Sequence, residues 1–201
     1  MIYFKLDLIK SNKTPFVLGT IINGICGGIY HFLIIFWSSF NFKVIGVISQ
    51  QQLSTINMYL IATYGLCSLI SGYLADKINP TRQIINSLFL SLSFITITIL
   101  RYSTHNIVLS FPLILTVLLP FYVVPLQIII QSMFATENRM RLYSLSHSLG
   151  AMIFSSSTPL LCILLWKSTG KIQILFGFLE LLIIILTISF LYLKNNRFDS
   201  K

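Results

Sequence analysis

The sequence predicts an all-α integral membrane protein, and three observations favour that class. Of its 201 residues, 55% are hydrophobic and 9% are charged, whereas a soluble domain has about 25% charged residues. Mean hydropathy is +0.84. The charged residues bound long apolar intervals, each of which holds a helix of about 20 residues, the length that crosses a bilayer. Short alternating segments typical of a membrane β-barrel are absent from the sequence.

Six apolar intervals lie between the charged residues, and only the last is interrupted, by Glu180. We therefore expect six membrane-spanning helices near residues 15–38, 52–75, 83–100, 107–131, 142–166 and 172–193. Residues 1–14 are expected to lie at the membrane interface as a short amphipathic segment. Residues 194–201 form a predicted tail after the six-helix bundle.

The distribution of basic residues predicts the orientation. Of the fourteen Lys and Arg, four fall on one side of the predicted membrane, namely Lys43, Arg101, Lys167 and Lys171. The other ten share the opposite side with both termini. Because cytoplasmic loops carry an excess of Lys and Arg, both termini are predicted to be cytoplasmic.

Several classes of function are not supported by the sequence. The net charge of +9 comes from basic residues scattered singly between apolar runs, so we expect no nucleic-acid partner. The three cysteines, Cys26, Cys67 and Cys162, lie in apolar segments without metal-ligand spacing. No nucleotide-binding glycine-rich loop and no grouping of catalytic residues is visible. We therefore expect neither an enzyme, a metal site nor a cofactor.

The densest group of charged and helix-breaking residues is the stretch "SGYLADKINPTR" at 71–82. It forms a predicted cytoplasmic turn between the second and third spans, where Asn79-Pro80 reverses the chain. Asp76 can accept hydrogen bonds either from Arg82 or from free N–H groups at the N-terminus of another helix. A short cytoplasmic loop commonly carries Lys and Arg, but this does not account for the Gly-x-x-x-Asp-Lys order.

This stretch resembles the signature loop of the major facilitator superfamily, roughly G-x-L-x-D-R/K-x-G-R-R/K. The matching residues are Gly72, Leu74, Asp76, Lys77 and Arg82, while Asn79 and Pro80 replace the later glycine and arginine. The resemblance implies one six-helix half of a twelve-helix transporter, built as two inverted three-helix repeats. It also implies a conformational latch, which we define as Gly72, Asp76, Lys77 and Arg82, that braces one half against the other.

A second segment, 137–170, resembles the C-terminal half of the metabolite:proton symporters of the proline/betaine transporter group. The matching residues are Arg139 and Arg141 in a predicted cytoplasmic turn, followed by Gly150, Phe154, Thr158, Pro159 and Gly170. Ser156-Ser157 replaces the family's glycine pair, and Phe134-Ala135 replaces its Phe-Pro.

The resemblance implies proton-coupled uptake of a small zwitterion or organic acid through a bacterial inner membrane. The implied partners are the lipid bilayer, the solute, protons, and either an N-terminal half or another copy of the chain. The alternative is an inactive remnant of a split or truncated transporter gene.

Polar residues inside predicted spans face either a cavity or another helix, because exposure to lipid is costly. In the first span, Asn23 and His31 share one helical face, with Tyr30 beside them. In the fourth span, Gln127 and Gln131 share a face, next to two prolines that permit a bend. We predict these five residues as candidates for the substrate path. The alternative is helix packing, which Gly24-x-x-x-Gly28 favours.

Glu180 is the only acid inside a predicted span. An acid in this position is a candidate for proton coupling. The alternative is a protonated or peripheral glutamate without that role, because the last helix of a half lies outside the cavity in the superfamily.

Overall fold

The fold is that of a computed structural model, which describes residue 9 and residues 12–46, 48–100 and 107–198. Within these residues it contains no strand, and six helices are long and apolar enough to cross a membrane. The all-α membrane prediction is therefore confirmed at this level. The helices are α1 (Lys13–Ile45), α2 (Gln50–Lys77), α3 (Pro80–Leu100), α4 (Ile107–Gln131), α5 (Arg139–Thr169) and α6 (Ile172–Phe198).

Each predicted span overlaps one helix, and several helices extend beyond it. The interfacial segment predicted at 1–14 lies outside the described residues except for residues 9 and 12–14. The first residues of the predicted tail continue α6. Short connections make successive helices antiparallel, so α1, α3 and α5 begin at the end of the bundle where α2, α4 and α6 finish. We call this the basic end, because Arg82, Arg139 and Arg141 lie there.

Two helices are central in the bundle. Each of these helices contains an apolar stretch of 18 residues. The buried share of that stretch is 61% in α1 and 56% in α4, compared with 6% in α2 and 22% in α5. Helix α1 packs on α5 and α6, helix α4 packs on α2 and α3, and α3 also contacts α6. Helices α2 and α5 therefore flank the bundle and leave apolar faces uncovered.

The turn between α2 and α3 has only two residues between the helices. Asn79 caps α3 because its Oδ1 accepts a hydrogen bond from the Thr81 amide at 3.0 Å, as expected for a polar residue before a helix. Pro80 is the first residue of α3, where its missing N–H is not needed. The local sequence thus explains the chain reversal.

Helices α1 and α5 each contain π-helical turns, in which hydrogen bonds join residues five apart. One turn covers His31–Phe36 in α1, and another covers Ala151–Ser155 in α5. The Ser156 amide bonds the Ala151 carbonyl at 3.0 Å, the five-residue spacing of a π turn. Such turns are rare and are frequent at functional sites, which draws attention to the region where these two helices meet.

Helices α1 and α5 approach each other through glycines. A Cβ atom built on Gly24 would lie 2.7 Å from the Gly150 carbonyl oxygen, and one built on Gly150 would lie 2.8 Å from the Gly24 nitrogen. A Cβ on Gly28 would lie 2.8 Å from the Thr158 hydroxyl. Small residues at membrane helix contacts allow this close backbone approach, so the Gly24-x-x-x-Gly28 pattern is a packing contact.

The end of the bundle opposite the basic end is filled by aromatic side chains. The Trp37 ring lies 5.4 Å from Phe111 and 5.1 Å from Phe176, and the centroids of Phe111 and Phe176 are 4.3 Å apart. These rings join α1, α4 and α6 into one core. Such contacts add to the burial of large apolar surfaces and close this end of the bundle.

Candidate functional site

A cavity of about 270 Å³ lies between α1, α2, α4 and α5. Four of the five predicted substrate-path residues line it: Asn23, Tyr30, His31 and Gln127. Gln131, the fifth, is not among its lining residues. The other lining residues, which the sequence analysis did not assign to the path, are Cys26, Gly27, Tyr64, Val123, His147, Ala151 and Ser155.

Asn23 is the most unusual residue of this cavity. Its side chain is only 2% exposed, and neither the amide nitrogen nor the amide oxygen has a hydrogen-bond partner among the described residues. A buried polar group without a partner costs free energy and is rare in folded proteins. Because Asn23 lines the cavity, a bound molecule could supply the missing hydrogen bonds.

His31 is held by the backbone of α5. Its Nδ1 lies 2.8 Å from the Ser155 carbonyl oxygen. In a regular helix that carbonyl would accept from the amide four residues later, but this residue is Pro159, which has no N–H. The His31 ring donates the hydrogen bond that Pro159 cannot donate to this carbonyl. Pro159, the π turn and His31 therefore form one connected arrangement.

Ser155 gives a second connection between α5 and α1. Its hydroxyl is buried and donates to the Gly24 carbonyl oxygen at 3.0 Å. A Cβ on Gly27 would overlap with this hydroxyl. Ser155 therefore acts as a packing contact and also lines the cavity.

The α4 side of the cavity carries Gln127, whose Oε1 accepts a hydrogen bond from the Tyr143 hydroxyl of α5. Tyr143 also lies beside the ring of His147, with centroids 6.0 Å apart. On the opposite side, the rings of Tyr30 and Tyr64 meet edge to face at 5.2 Å and 74°. The cavity is thus lined by hydrogen-bonding groups and aromatic rings, and neither Asp, Glu, Lys nor Arg is among the described residues that line it.

The latch residues lie at the basic end, away from this cavity. Asp76 and Arg82 are exposed, and within the described part of the chain no ion pair joins them. The Lys77 ammonium lies 4.6 Å from the centroid of the Tyr73 ring, a cation–π contact. A Cβ on Gly72 would meet no described atom within 4 Å, so no neighbour in the described part of the chain requires the glycine.

The start of the same stretch connects three helices, which the sequence analysis missed. The buried Ser71 of α2 donates to the Pro120 carbonyl oxygen of α4 at 2.8 Å. The side-chain amide nitrogen of Gln83 in α3 donates to the Ser71 hydroxyl at 2.9 Å. A serine in an apolar segment gives little signal, because it is common both at packing contacts and on exposed faces.

The predicted cytoplasmic turn between α4 and α5 contains Arg139 and Arg141 at the start of α5. Arg139 is half-buried, and its Nε donates to the Phe134 carbonyl oxygen at 3.4 Å, whereas Arg141 is exposed. Arg139 therefore helps to close the turn, and Arg141 remains available at the surface.

Glu180 lies between α6 and α3 and does not line the cavity. The Thr96 hydroxyl of α3 is 2.6 Å from Glu180 Oε1 and 2.9 Å from the Leu92 carbonyl oxygen. The Thr96 hydroxyl thus donates to the Glu180 carboxyl group and also lies within hydrogen-bond distance of its own helix backbone. The contact favours the peripheral position weighed above; a role in proton coupling stays a prediction.

Comparison of the chain with protein-family models, with curated proteins and with solved structures finds no match in any of the three.

Proposed function

We propose that the chain is the C-terminal six-helix half of a secondary active transporter of the major facilitator superfamily, taking up a small zwitterion of the proline/betaine type with protons. The observation that carries this proposal is the cavity inside the bundle, into which Asn23 brings a buried amide without a partner. A polar group of this kind in a membrane helix commonly marks a substrate or ion pathway.

The pairing of helices supports the two inverted repeats of the proposal. A two-fold axis between the repeats would exchange α1 with α4, α2 with α5, and α3 with α6. The contact between α1 and α5 would then correspond to the contact between α4 and α2. In the same way, the contact between α1 and α6 would correspond to the contact between α4 and α3. The α3–α6 contact is unchanged by the exchange. All these contacts are present, as expected for repeats related by a two-fold axis in the membrane plane. In such transporters the solute binds where the repeats meet, and residues from α1, α2, α4 and α5 line this cavity.

The exposed latch supports a missing partner half. Asp76 and Arg82 are exposed, and Gly72 has open space around it. The large apolar faces of α2 and α5 are also uncovered. An N-terminal half, or another copy of the chain, would cover both features in a complete transporter.

Uptake by proteoliposomes tests the proposed function. Labelled proline, betaine and a dicarboxylate would be offered to vesicles containing the chain alone or the chain with an N-terminal half, under an inward proton gradient. We expect uptake only when both halves are present, because alternating access requires one half to move against the other, whereas the residues that line the cavity all belong to this chain. Absence of uptake with every N-terminal half tested would favour the inactive remnant.

Cysteine labelling tests the proposed orientation with cytoplasmic termini. In a Cys67→Ala background, Lys43→Cys and Lys171→Cys should react with a membrane-impermeant maleimide added outside cells, and Lys77→Cys should not. Cys26 and Cys162 are buried and should contribute little background labelling. The reverse pattern of labelling would overturn the orientation predicted from the basic residues.

A further inference from the structure

We propose that the cavity selects a zwitterion whose ammonium group carries N–H bonds and discriminates against a quaternary ammonium. This inference rests on the proposed function, because it specifies which class of solute the same cavity binds. Two side chains, His31 and Asn23, carry this inference, together with the absence of Asp, Glu, Lys and Arg among the described lining residues.

The first step is the position of the hydrogen on His31. A carbonyl oxygen can only accept a hydrogen bond, so the 2.8 Å contact with Ser155 places a hydrogen on Nδ1. In the neutral ring, Nε2 then carries the lone pair. No described residue forms a hydrogen bond with Nε2, and His31 lines the cavity. The ring therefore offers an acceptor to a bound molecule.

The second step is the reason why this tautomer is fixed. Moving the hydrogen to Nε2 would bring the lone pair of Nδ1 against the Ser155 carbonyl oxygen. That carbonyl cannot turn to its ordinary helical donor, because Pro159 has no N–H. The other tautomer would thus leave a buried acceptor unsatisfied, which costs free energy. Pro159 acts through Ser155 as a positioning residue for the His31 ring.

The third step concerns Asn23. Asn23 lies two turns before His31 on the same helical face of α1, and its Oδ1 is buried and unpartnered. The helical rise from residue 23 to residue 31 is about 12 Å, so the two side chains hold different ends of the solute, and its ammonium donates to His31 Nε2. The Asn23 amide nitrogen is also unpartnered and can donate to the solute carboxylate.

The fourth step concerns charge. Because neither Asp nor Glu is among the described residues that line the cavity, a cationic group is recognised there without a carboxylate. A quaternary nitrogen has no hydrogen to donate and would leave the His31 Nε2 acceptor without a partner. Sites built to bond an N–H or O–H group strongly reject analogues that lack it.

The competing recognition of a quaternary ammonium would use the aromatic rings of Tyr30 and Tyr64. These rings meet edge to face, so each occupies part of the surface that a cation would need. Two rings in this arrangement cover less of a cation than an aromatic cage does, whereas the lone pair of His31 Nε2 accepts only from an N–H or O–H group. The observations therefore favour N–H recognition.

Binding of L-proline and of N,N-dimethyl-L-proline tests the inference, because the two zwitterions share the ring and the carboxylate and differ in that two methyl groups replace the two N–H hydrogens. Affinities would be measured with the purified full chain in lipid nanodiscs at pH 7.5. We expect proline to bind at least tenfold more tightly than its dimethyl analogue. His31→Phe should weaken proline binding about tenfold and leave binding of the analogue nearly unchanged.

Two further variants keep the test decisive if His31→Phe does not fold. His31→Gln retains an acceptor on the side chain and should preserve part of the preference for proline. Thr187→Val is the matched control, because the Thr187 hydroxyl bonds only the Ile183 carbonyl within α6; its affinities should equal those of the original chain.

The possible results separate the two proposals. Equal or tighter binding of the dimethyl analogue would overturn the inference while leaving a solute site in place, and so would equal weakening of both ligands by His31→Phe. Failure of both zwitterions to bind the original chain would overturn the proposed zwitterion site, and the inference with it.

Discussion

Replacing Gly150 with alanine is expected to lower the free energy of unfolding by roughly 1–3 kcal/mol, the usual cost of overpacking a close contact. The added Cβ would overlap with the Thr20 carbonyl oxygen and lie 2.8 Å from the Gly24 nitrogen. Both obstacles are backbone atoms of α1, so no side chain can move aside to make room. The two helices would have to separate, which would also widen the cavity between them.

Thermal unfolding of the purified protein in detergent measures this effect, and Gly65→Ala provides the matched control. Gly65 lies inside α2, where an added Cβ would meet no atom of the described residues within 4 Å. Since alanine favours a helix by about 1 kcal/mol over glycine, the control should be neutral or slightly stabilising. Equal unfolding temperatures for the two variants would contradict the close contact between α1 and α5.

The number and approximate position of the helices could be predicted from sequence because a bilayer imposes a length. An apolar run of about 20 residues satisfies its own backbone hydrogen bonds as a helix, so each interval between charges gives one span. The ends were less certain. Predicted span 142–166 is shorter than Arg139–Thr169, because polar residues such as Arg139 and Thr169 extend a helix without adding to its apolar length.

Part of the candidate site could also be predicted, because Asn23, Tyr30 and His31 are polar or aromatic residues close together on one helix. Tyr64 and Ser155 could not be assigned in this way. Their contribution depends on which helices meet, and helix order within a bundle is not encoded in a hydropathy pattern. Pro159 did carry a usable signal, since a proline always leaves a carbonyl four residues earlier without its donor.

Exchanging Asp76 for asparagine is expected to reduce uptake at least tenfold in a reconstituted pair of halves and to leave the stability of the isolated chain unchanged. In the isolated chain the carboxylate is exposed and bonds no described residue, so its charge contributes little. In the pair, the proposed partner of Asp76 is the N-terminus of a helix in the other half. A partly buried charge at such a position contributes up to about 2 kcal/mol.

A contribution of about 2 kcal/mol shifts the balance between two conformations of a transporter by more than tenfold, whereas an exposed ion pair contributes only about 0–1 kcal/mol. The loss of uptake in Asp76→Asn therefore depends on the second half, and the effect distinguishes a latch from a surface charge. Glu137→Gln is the matched control, because Glu137 is an exposed acid in the connection between α4 and α5 at the same basic end. Its uptake should equal that of the original pair. Strong uptake by this chain alone, unaffected by Asp76→Asn, would refute the half-transporter, because a chain that needs no second half has no use for a latch against one.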